Sequence, residues 1–413
     1  MLSQFRGLRM PLTHAPSRIE SRLKAGAVRS IALRNLLSFG ANGASLELRN
    51  LTVLVGPNGS GKSNLLEAIA LLRSSATEFT KVFERGGGAL EFVWKGAPQA
   101  TVSLDATFDL PPGKVPLRHR LTFRASDQRL NVNEERIENQ LLRAGEKKPH
   151  FFYQLQDGRA LISKKSGAPS RPLTTDSVDF ARSILAQRRD PEIYPEITNL
   201  ALFYERIRLY REWTFGRDSV LRIPQKADLR TDRLEEDFSN LGLFLNRLRR
   251  QPKAKQAVLE GLRDLYEGFT DFDVSVEGGT VQVFFTEGDF TVPATRLSDG
   301  TVRYLCLLAI LCDPDPPPLI GIEEPELGLH PDLLPKVADL LKSASERTQI
   351  IVTTHSDILI DALTDQPESV VVTEKHAGET SMQRLSADDL TGWLDKYRLG
   401  QLWTKGELGG TRW

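Results

Sequence analysis

Residues 56–63, GPNGSGKS, restrict this chain more than any other stretch. They match G-x-x-x-x-G-K-[ST] and lie between an apolar run, LTVLVG, and a segment with Leu66, Ile69 and Ala70 at helical spacing. Such a strand, glycine loop and helix let the backbone curl so that its N–H groups and the helix N-terminus face an anion. Gly56, Pro57, Asn58, Gly59, Ser60 and Gly61 are the expected cradle, with Asn64 following it. Lys62 is placed to reach β- and γ-phosphates, and Ser63 to ligate Mg²⁺. The expected ligand is a nucleoside triphosphate, and the fold class it demands is α/β.

Apolar strands alternating with helices recur near the C-terminal part. PPLIGIEEPE reads as a buried strand ending in Glu323 and Glu324. Adjacent acids on a strand point opposite ways, so Glu323 is the expected metal ligand and Glu324 the expected general base for an attacking water. QIIVTTHS is a second buried strand, ending at His355, where a neutral imidazole can contact a γ-phosphate or position water. Leu297, Ser298, Asp299 and Gly300 form LSDG ahead of a helix from about Thr301; taken alone this is an ordinary helix cap.

The pattern divides the chain. Residues 1–26 read as a loose basic leader interrupted by Pro11 and Pro16. Residues 27–175 hold the loop motif and an antiparallel β lobe, marked by Val102, Leu104, Ala106 and Phe108 at a period of two. Helical periodicity over 176–270 suggests a helical insertion, too short and too broken around Pro191 and Pro224 for a long coiled coil. Residues 271–375 return to the α/β pattern with LSDG, the acid pair and the His strand, and 376–413 read as a tail packed on it, bearing Trp393, Tyr397, Trp403 and Trp413.

Fifty-four Lys and Arg balance 54 Asp and Glu, so the net charge is zero and bulk electrostatics cannot coat DNA or a membrane. A local band, Arg182, Arg188, Arg189, Arg206, Arg208, Arg211, Arg217 and Arg222, can form a DNA or RNA face, with Tyr204, Tyr210 and Trp213 as stacking candidates. The alternative is a helix surface balanced by Asp190, Glu192, Glu205, Glu212 and Asp218. The two cysteines, Cys306 and Cys312, sit in an apolar helical run and read as buried free thiols of a reducing cytoplasm. No apolar stretch reaches the ~18–20 residues that span a bilayer, so no membrane partner is expected.

GKSN, LSDG, EEPE followed by LGLHP, and TTHS, in this order, resemble the ABC-type ATPase heads of the RecF, SMC and OLD families, and among these the stand-alone AAA family ATPases. The resemblance extends through SILAQRRDPEIYPE, YREWTFGRDSVLRIPQ and LGQLWTKGELGGTRW, covering nearly everything from Ala27. It implies a mixed central sheet and a homodimer that sandwiches two ATP molecules, with Lys62 and Ser63 of one protomer facing Ser298 and Gly300 of its partner. It also implies that Gln187 senses Mg²⁺ and the γ-phosphate, and that Glu326, Gly328 and His330 form a dimer-contact loop. Glu323 stands where many ABC ATPases have Asp, and LSDG differs from the LSGGQ of transporters.

The resemblance therefore implies an ATPase that dimerises on ATP and couples turnover to an associated activity in DNA repair or anti-phage defence. The alternative is an ATP-gated switch with little turnover that regulates a separate effector, a nuclease or toxin. An intrinsic nuclease is not expected, because VVVTEKHAGETS offers Glu374 without a following acidic pair and a two-metal site needs several convergent carboxylates.

Overall fold

Every residue of Leu51–Val55 and Gln349–Thr354 is buried, as are residues 319–322. Strands this continuously apolar need cover on both faces, and all three lie inside one sheet. The computed structural model describes residues 26–410 apart from 111–113, 127–128, 143–147, 165–168, 175, 180–181, 215, 217–218 and 220–221. The leader through residue 25, Arg217, Asp218 and Trp413 lie outside the described residues.

The central sheet has six strands in the order Arg208–Tyr210, Leu319–Glu323, Gln349–Thr354, Leu51–Val55, Val370–His376 and Glu379–Arg384. Neighbours run parallel except the last pair, which is antiparallel. Side chains of each strand alternate between two cores. Leu54, Leu319, Ile351 and Val371 face the helix Lys62–Ser75 and the β lobe. Val53, Ile320, Ile322, Ile350, Val352 and Val370 face the helices Asp299–Leu311, Leu241–Arg249, Pro252–Leu265 and Leu334–Ser345. The result is an α/β architecture with a mixed central sheet.

The antiparallel β lobe is an eight-stranded sheet running from Ala44–Glu47 and Ala27–Arg34 through Val102–Asp109 to Ser170–Leu173. Val102, Leu104, Ala106 and Phe108 are fully buried in it, as their two-residue period requires. Gln349 fastens this lobe to the central sheet, accepting from Val28 N (2.9 Å) and donating to Val28 O (2.8 Å). A third, small antiparallel sheet (Phe269–Glu277, Thr280–Glu287, Phe290–Pro293 and Gln225–Lys226) precedes the LSDG segment.

Two stretches are less separate than their periodicity implies. Within 176–270, strand Arg208–Tyr210 forms an edge of the central sheet between helices Pro195–Arg206 and Leu241–Arg249. Three residues are too few for a period to register. Within 376–413, strand Glu379–Arg384 forms the opposite edge, and only then does the chain turn to helix Leu399–Thr404, whose Leu399 and Leu402 are fully buried.

Candidate functional site

The C-terminal ends of three adjacent parallel strands meet: Val55 pairs with Thr354, and Thr353 with Glu323. Ligands of open α/β sheets bind at this edge. The glycine loop leaves Leu51–Val55 here and enters helix Lys62–Ser75 through Gly61, whose φ of 105° favours a residue without Cβ. A Cβ at Gly61 would also lie 2.2 Å from Thr380 Oγ1. Lys62 folds back across the loop, its Nζ donating to Gly56 O (2.8 Å) and Pro57 O (3.1 Å). Burial pulls its pKa down to about 8, against the raising charges of Glu324, Glu326 and Glu323.

Side chains far away in the chain brace the loop. Ser60 Oγ lies 2.8 Å from Thr373 Oγ1. Thr380 Oγ1 is 2.7 Å from both Ser60 O and Ser38 Oγ, and Asn64 donates to Ser38 Oγ (2.7 Å). Asn58 and Gly59 stay exposed at the tip.

Ser63 Oγ donates to Glu323 Oε1, bringing the loop and the acid strand together. A hydroxyl beside a carboxylate is the oxygen donor set that suits a hard divalent cation. The other carboxylate oxygen of Glu323 accepts from Arg211 Nε (3.0 Å), and Arg211 also pairs with Glu67 on the loop's own helix. Glu324 does not simply alternate to the opposite face, as two neighbours on a strand would. The strand ends at Glu323, and Glu324 adopts φ 45°, a left-handed conformation costing about 1–2 kcal/mol for a residue with Cβ. Its N–H donates to Thr353 O (2.9 Å), and its carbonyl accepts from Arg303 Nη2 (2.6 Å).

That turn aims Glu324 at His355, whose Nε2 lies 3.1 Å from Glu324 Oε1. Glu326 sets the start of the His355 loop: its Oε1 accepts from His355 N and Thr354 Oγ1, both at 2.7 Å. Burial, and next the positive charge of Lys62, lowers the His355 pKa, so the ring is neutral at pH 7. Lys62, Ser63, Glu323, Glu324 and His355 thus form one cluster.

The LSDG residues lie apart from that cluster's polar contacts. Ser298 caps helix Asp299–Leu311, accepting from Thr301 N (3.1 Å), and Asp299 pairs with Arg222 (2.7 Å). Ser298 and Asp299 are exposed, whereas Leu297 is buried beneath them. Gly300 packs so tightly on the LGLHP loop that a Cβ would sit 2.7 Å from Gly328 O. His330 is exposed and pairs with Asp332 (3.3 Å).

Gln187 is not brought to the cluster. Its amide accepts from Asp179 N (2.8 Å) and donates to Asp179 O, Arg182 O and Ser183 O, closing a local loop. The basic band is likewise largely used internally: Arg189 pairs with Glu205, Arg222 with Asp299 and Arg211 with Glu67 and Glu323, while Arg208 donates to two backbone carbonyls. Tyr204 and Tyr210 are core residues, and Trp213 stacks on Phe238 (5.3 Å), so none offers a free stacking platform. Cys306 and Cys312 are buried free thiols.

Arg211, Trp213 and Arg303 are site residues that sequence reasoning overlooked or misassigned. Trp213 Nε1 donates to Glu323 O (2.8 Å), and the Arg303 guanidinium lies 4.1 Å from the Trp213 ring centre. Arg303 carried a readable signal, being the lone charge in the apolar run VRYLCLLAIL.

A glycine loop at a sheet edge, an acid strand beside it and a neighbouring strand ending in His define an ABC-type P-loop ATPase head. The family described as "AAA domain, putative AbiEii toxin, Type IV TA system" matches residues 51–361, and the chain belongs to that family. It is similar to the OLD nuclease of Thermus scotoductus, 25% identical over 334 residues, which are 76% of this chain and 57% of that protein. It is also similar to the chromosome partition protein Smc of Synechocystis, 36% identical over 88 residues, 21% of this chain and 7% of that one. The chain thus spans little more than half the length of the first relative and a small part of the second. Among solved structures it resembles an Smc head bound to the C-winged helix domain of ScpA (TM-score 0.57, 16% identity, 88% of this chain and 100% of that one). It also resembles a Pyrococcus furiosus Smc head with an extended coiled coil, bound to the C-terminal domain of ScpA (TM-score 0.54, 14% identity, 90% and 99%). These likenesses concern the fold. No helix among the described residues is long and apolar enough to cross a membrane.

Proposed function

We propose that this chain is an ATP-hydrolysing head that closes as a homodimer around two ATP molecules and couples turnover to an associated activity in DNA repair or anti-phage defence. The observation that carries the reading is the convergence of Lys62, Ser63, Glu323, Glu324 and His355 at one sheet edge. The 56–61 backbone cradles the phosphates, and Lys62 swings from the loop carbonyls to the β/γ-phosphates. Ser63 and Glu323 would hold Mg²⁺, which would supply positive charge against the phosphates. Glu324 takes the proton of the attacking water, and neutral His355 orients that carboxylate and faces the γ-phosphate. Exposed Ser298 and the helix start behind it meet the nucleotide of the opposite protomer, so that ATP joins the two heads. The Gln187 metal role is not part of this mechanism, since its amide is already engaged.

The match to an OLD nuclease and the likeness to Smc heads support a nucleic-acid setting. The second reading, an ATP-gated switch acting on a separate effector, is favoured by the toxin–antitoxin description of the family. Steady-state ATP hydrolysis by wild type and Glu324→Gln, with and without DNA, alongside their masses in solution, separates the two. Turnover that DNA alters, with the variant trapped as a dimer, supports the first. ATP-driven dimerisation with negligible turnover and no DNA response supports the second, and no ATP binding at all sinks both.

A further inference from the structure

Helix Asp299–Leu311, capped by Ser298, touches the segment that follows the acid strand of its own protomer at two points. One is the backbone contact of Gly300 with Gly328. The other is a buried charge. Residues 302–311 are all buried, and Arg303, 1% exposed, is the only charged residue among them. A guanidinium leaves water at high cost unless the fold gives it partners, and here these include the Glu324 carbonyl and the face of the Trp213 ring. Arg303 Nη2 donates to Glu324 O, while the ring beneath its guanidinium, Trp213, donates to Glu323 O. Two consecutive carbonyls are therefore held by one stacked Arg–Trp unit. Between them lies the left-handed turn at Glu324, whose N–H is held from the other side by Thr353.

We propose that Arg303 is a positioning residue that couples nucleotide engagement at Ser298 and Gly300 to the orientation of Glu324 in the same protomer. This rests on the two-nucleotide dimer above. The signature end of the helix faces one ATP and Glu324 serves the other, so a shift of the helix as it takes up a phosphate moves Arg303 and the carbonyl it holds. Because Glu324 occupies a sparsely populated backbone region, a small change at its carbonyl redirects the carboxylate and its contact with His355. Arg303 touches no reacting atom; it makes hydrolysis at one nucleotide depend on occupancy of the other. Burial lowers its pKa to about 10, which leaves it charged at neutral pH.

The test compares full-length wild type, Arg303→Met and Arg303→Lys for affinity toward a fluorescent ATP analogue, ATP-dependent mass, kcat, KM and the Hill coefficient of hydrolysis. The expectation is cooperative wild type. Arg303→Met should bind the analogue within about twofold of wild type and still dimerise, yet lose at least about tenfold in kcat with a Hill coefficient near 1. Arg303→Lys should recover part of both. A purely structural role would instead lower melting temperature, binding and dimerisation together. If Arg303→Met does not fold, Trp213→Phe keeps an aromatic ring and removes the N–H to Glu323 O; a lowered kcat at unchanged KM supports the proposal and an unchanged kcat overturns it. Wild-type cooperativity and kcat in a folded Arg303→Met also overturn it, as does a Hill coefficient of 1 in wild type, while dimerisation and hydrolysis stand. A wild type that neither dimerises nor hydrolyses overturns the dimer reading itself, and the proposal with it.

Discussion

His355 Nε2 lies 3.1 Å from Glu324 Oε1, although the two residues follow different strands of the central sheet. The pairing exists because Glu324 leaves its strand in a left-handed conformation and Glu326 holds the backbone of His355. The fold alone thereby orients the carboxylate, as the proposed general-base role requires.

Glu324→Gln keeps the shape of that side chain and removes its basicity. Hydrolysis should fall by about 10²–10⁴-fold while ATP binding persists, and the variant should accumulate as an ATP-bound dimer. Phosphate release and light scattering measure both; undiminished turnover would remove Glu324 from the chemistry.

Lys62→Ala deletes the cation that folds over the loop carbonyls. Nucleotide affinity should drop by at least about tenfold, because a charge-assisted contact to phosphate is lost. Calorimetric titration with ATP checks this, and affinity equal to wild type would contradict the assigned role.

Lys62 has a pKa of about 8 in the folded chain against an ordinary 10.5. Between these values the unfolded state binds more protons, so this group's contribution to stability rises with pH across that window. Bound phosphates favour the charged amine, so ATP binding near pH 9 should take up protons that binding near pH 7 does not. Titrations in buffers of different ionisation heat measure the uptake. For His355, whose pKa is lowered, the sign is also set: as pH falls below the ordinary value of 6.5 the unfolded state protonates first and stability is lost. His355→Gln should flatten that acid loss.

Arg211→Met leaves Glu323 without the cation that balances it and frees Glu67. A more negative Glu323 environment should strengthen Mg²⁺ binding yet hold it less well oriented. By charge alone the Mg²⁺ concentration for half-maximal hydrolysis should fall by a few-fold, while the lost orientation of Glu323 lowers kcat. Unchanged Mg²⁺ dependence would show that Arg211 only packs.

Much of the site is legible from short-range chemistry. The loop motif reads directly because glycine conformation and helix entry are local properties, and Gly61 at φ 105° behaves accordingly. The acid and His strands read because residues 319–322 and 349–354 are continuously buried. Strand Arg208–Tyr210 escapes because its place comes from three parallel pairings with residues over a hundred positions onward, at Ile320, Gly321 and Ile322. Arg211 and Trp213 look like a basic and aromatic surface for the same reason, since charge and size do not name a partner.

The sequence by itself determined the α/β class and the strand or loop that carries the glycine-loop motif, the acid pair and His355. It could do so because hydrophobic period, glycine freedom and side-chain chemistry act over a few neighbouring residues. Tertiary structure alone decided that Ser63 meets Glu323, that Glu324 turns left-handed toward His355, that Gln187 spends its amide on its own loop, and that Arg303 grips the carbonyl of Glu324. Those outcomes depend on which groups packing brings within about 3 Å, the reach of a hydrogen bond. No pattern along the chain specifies that distance.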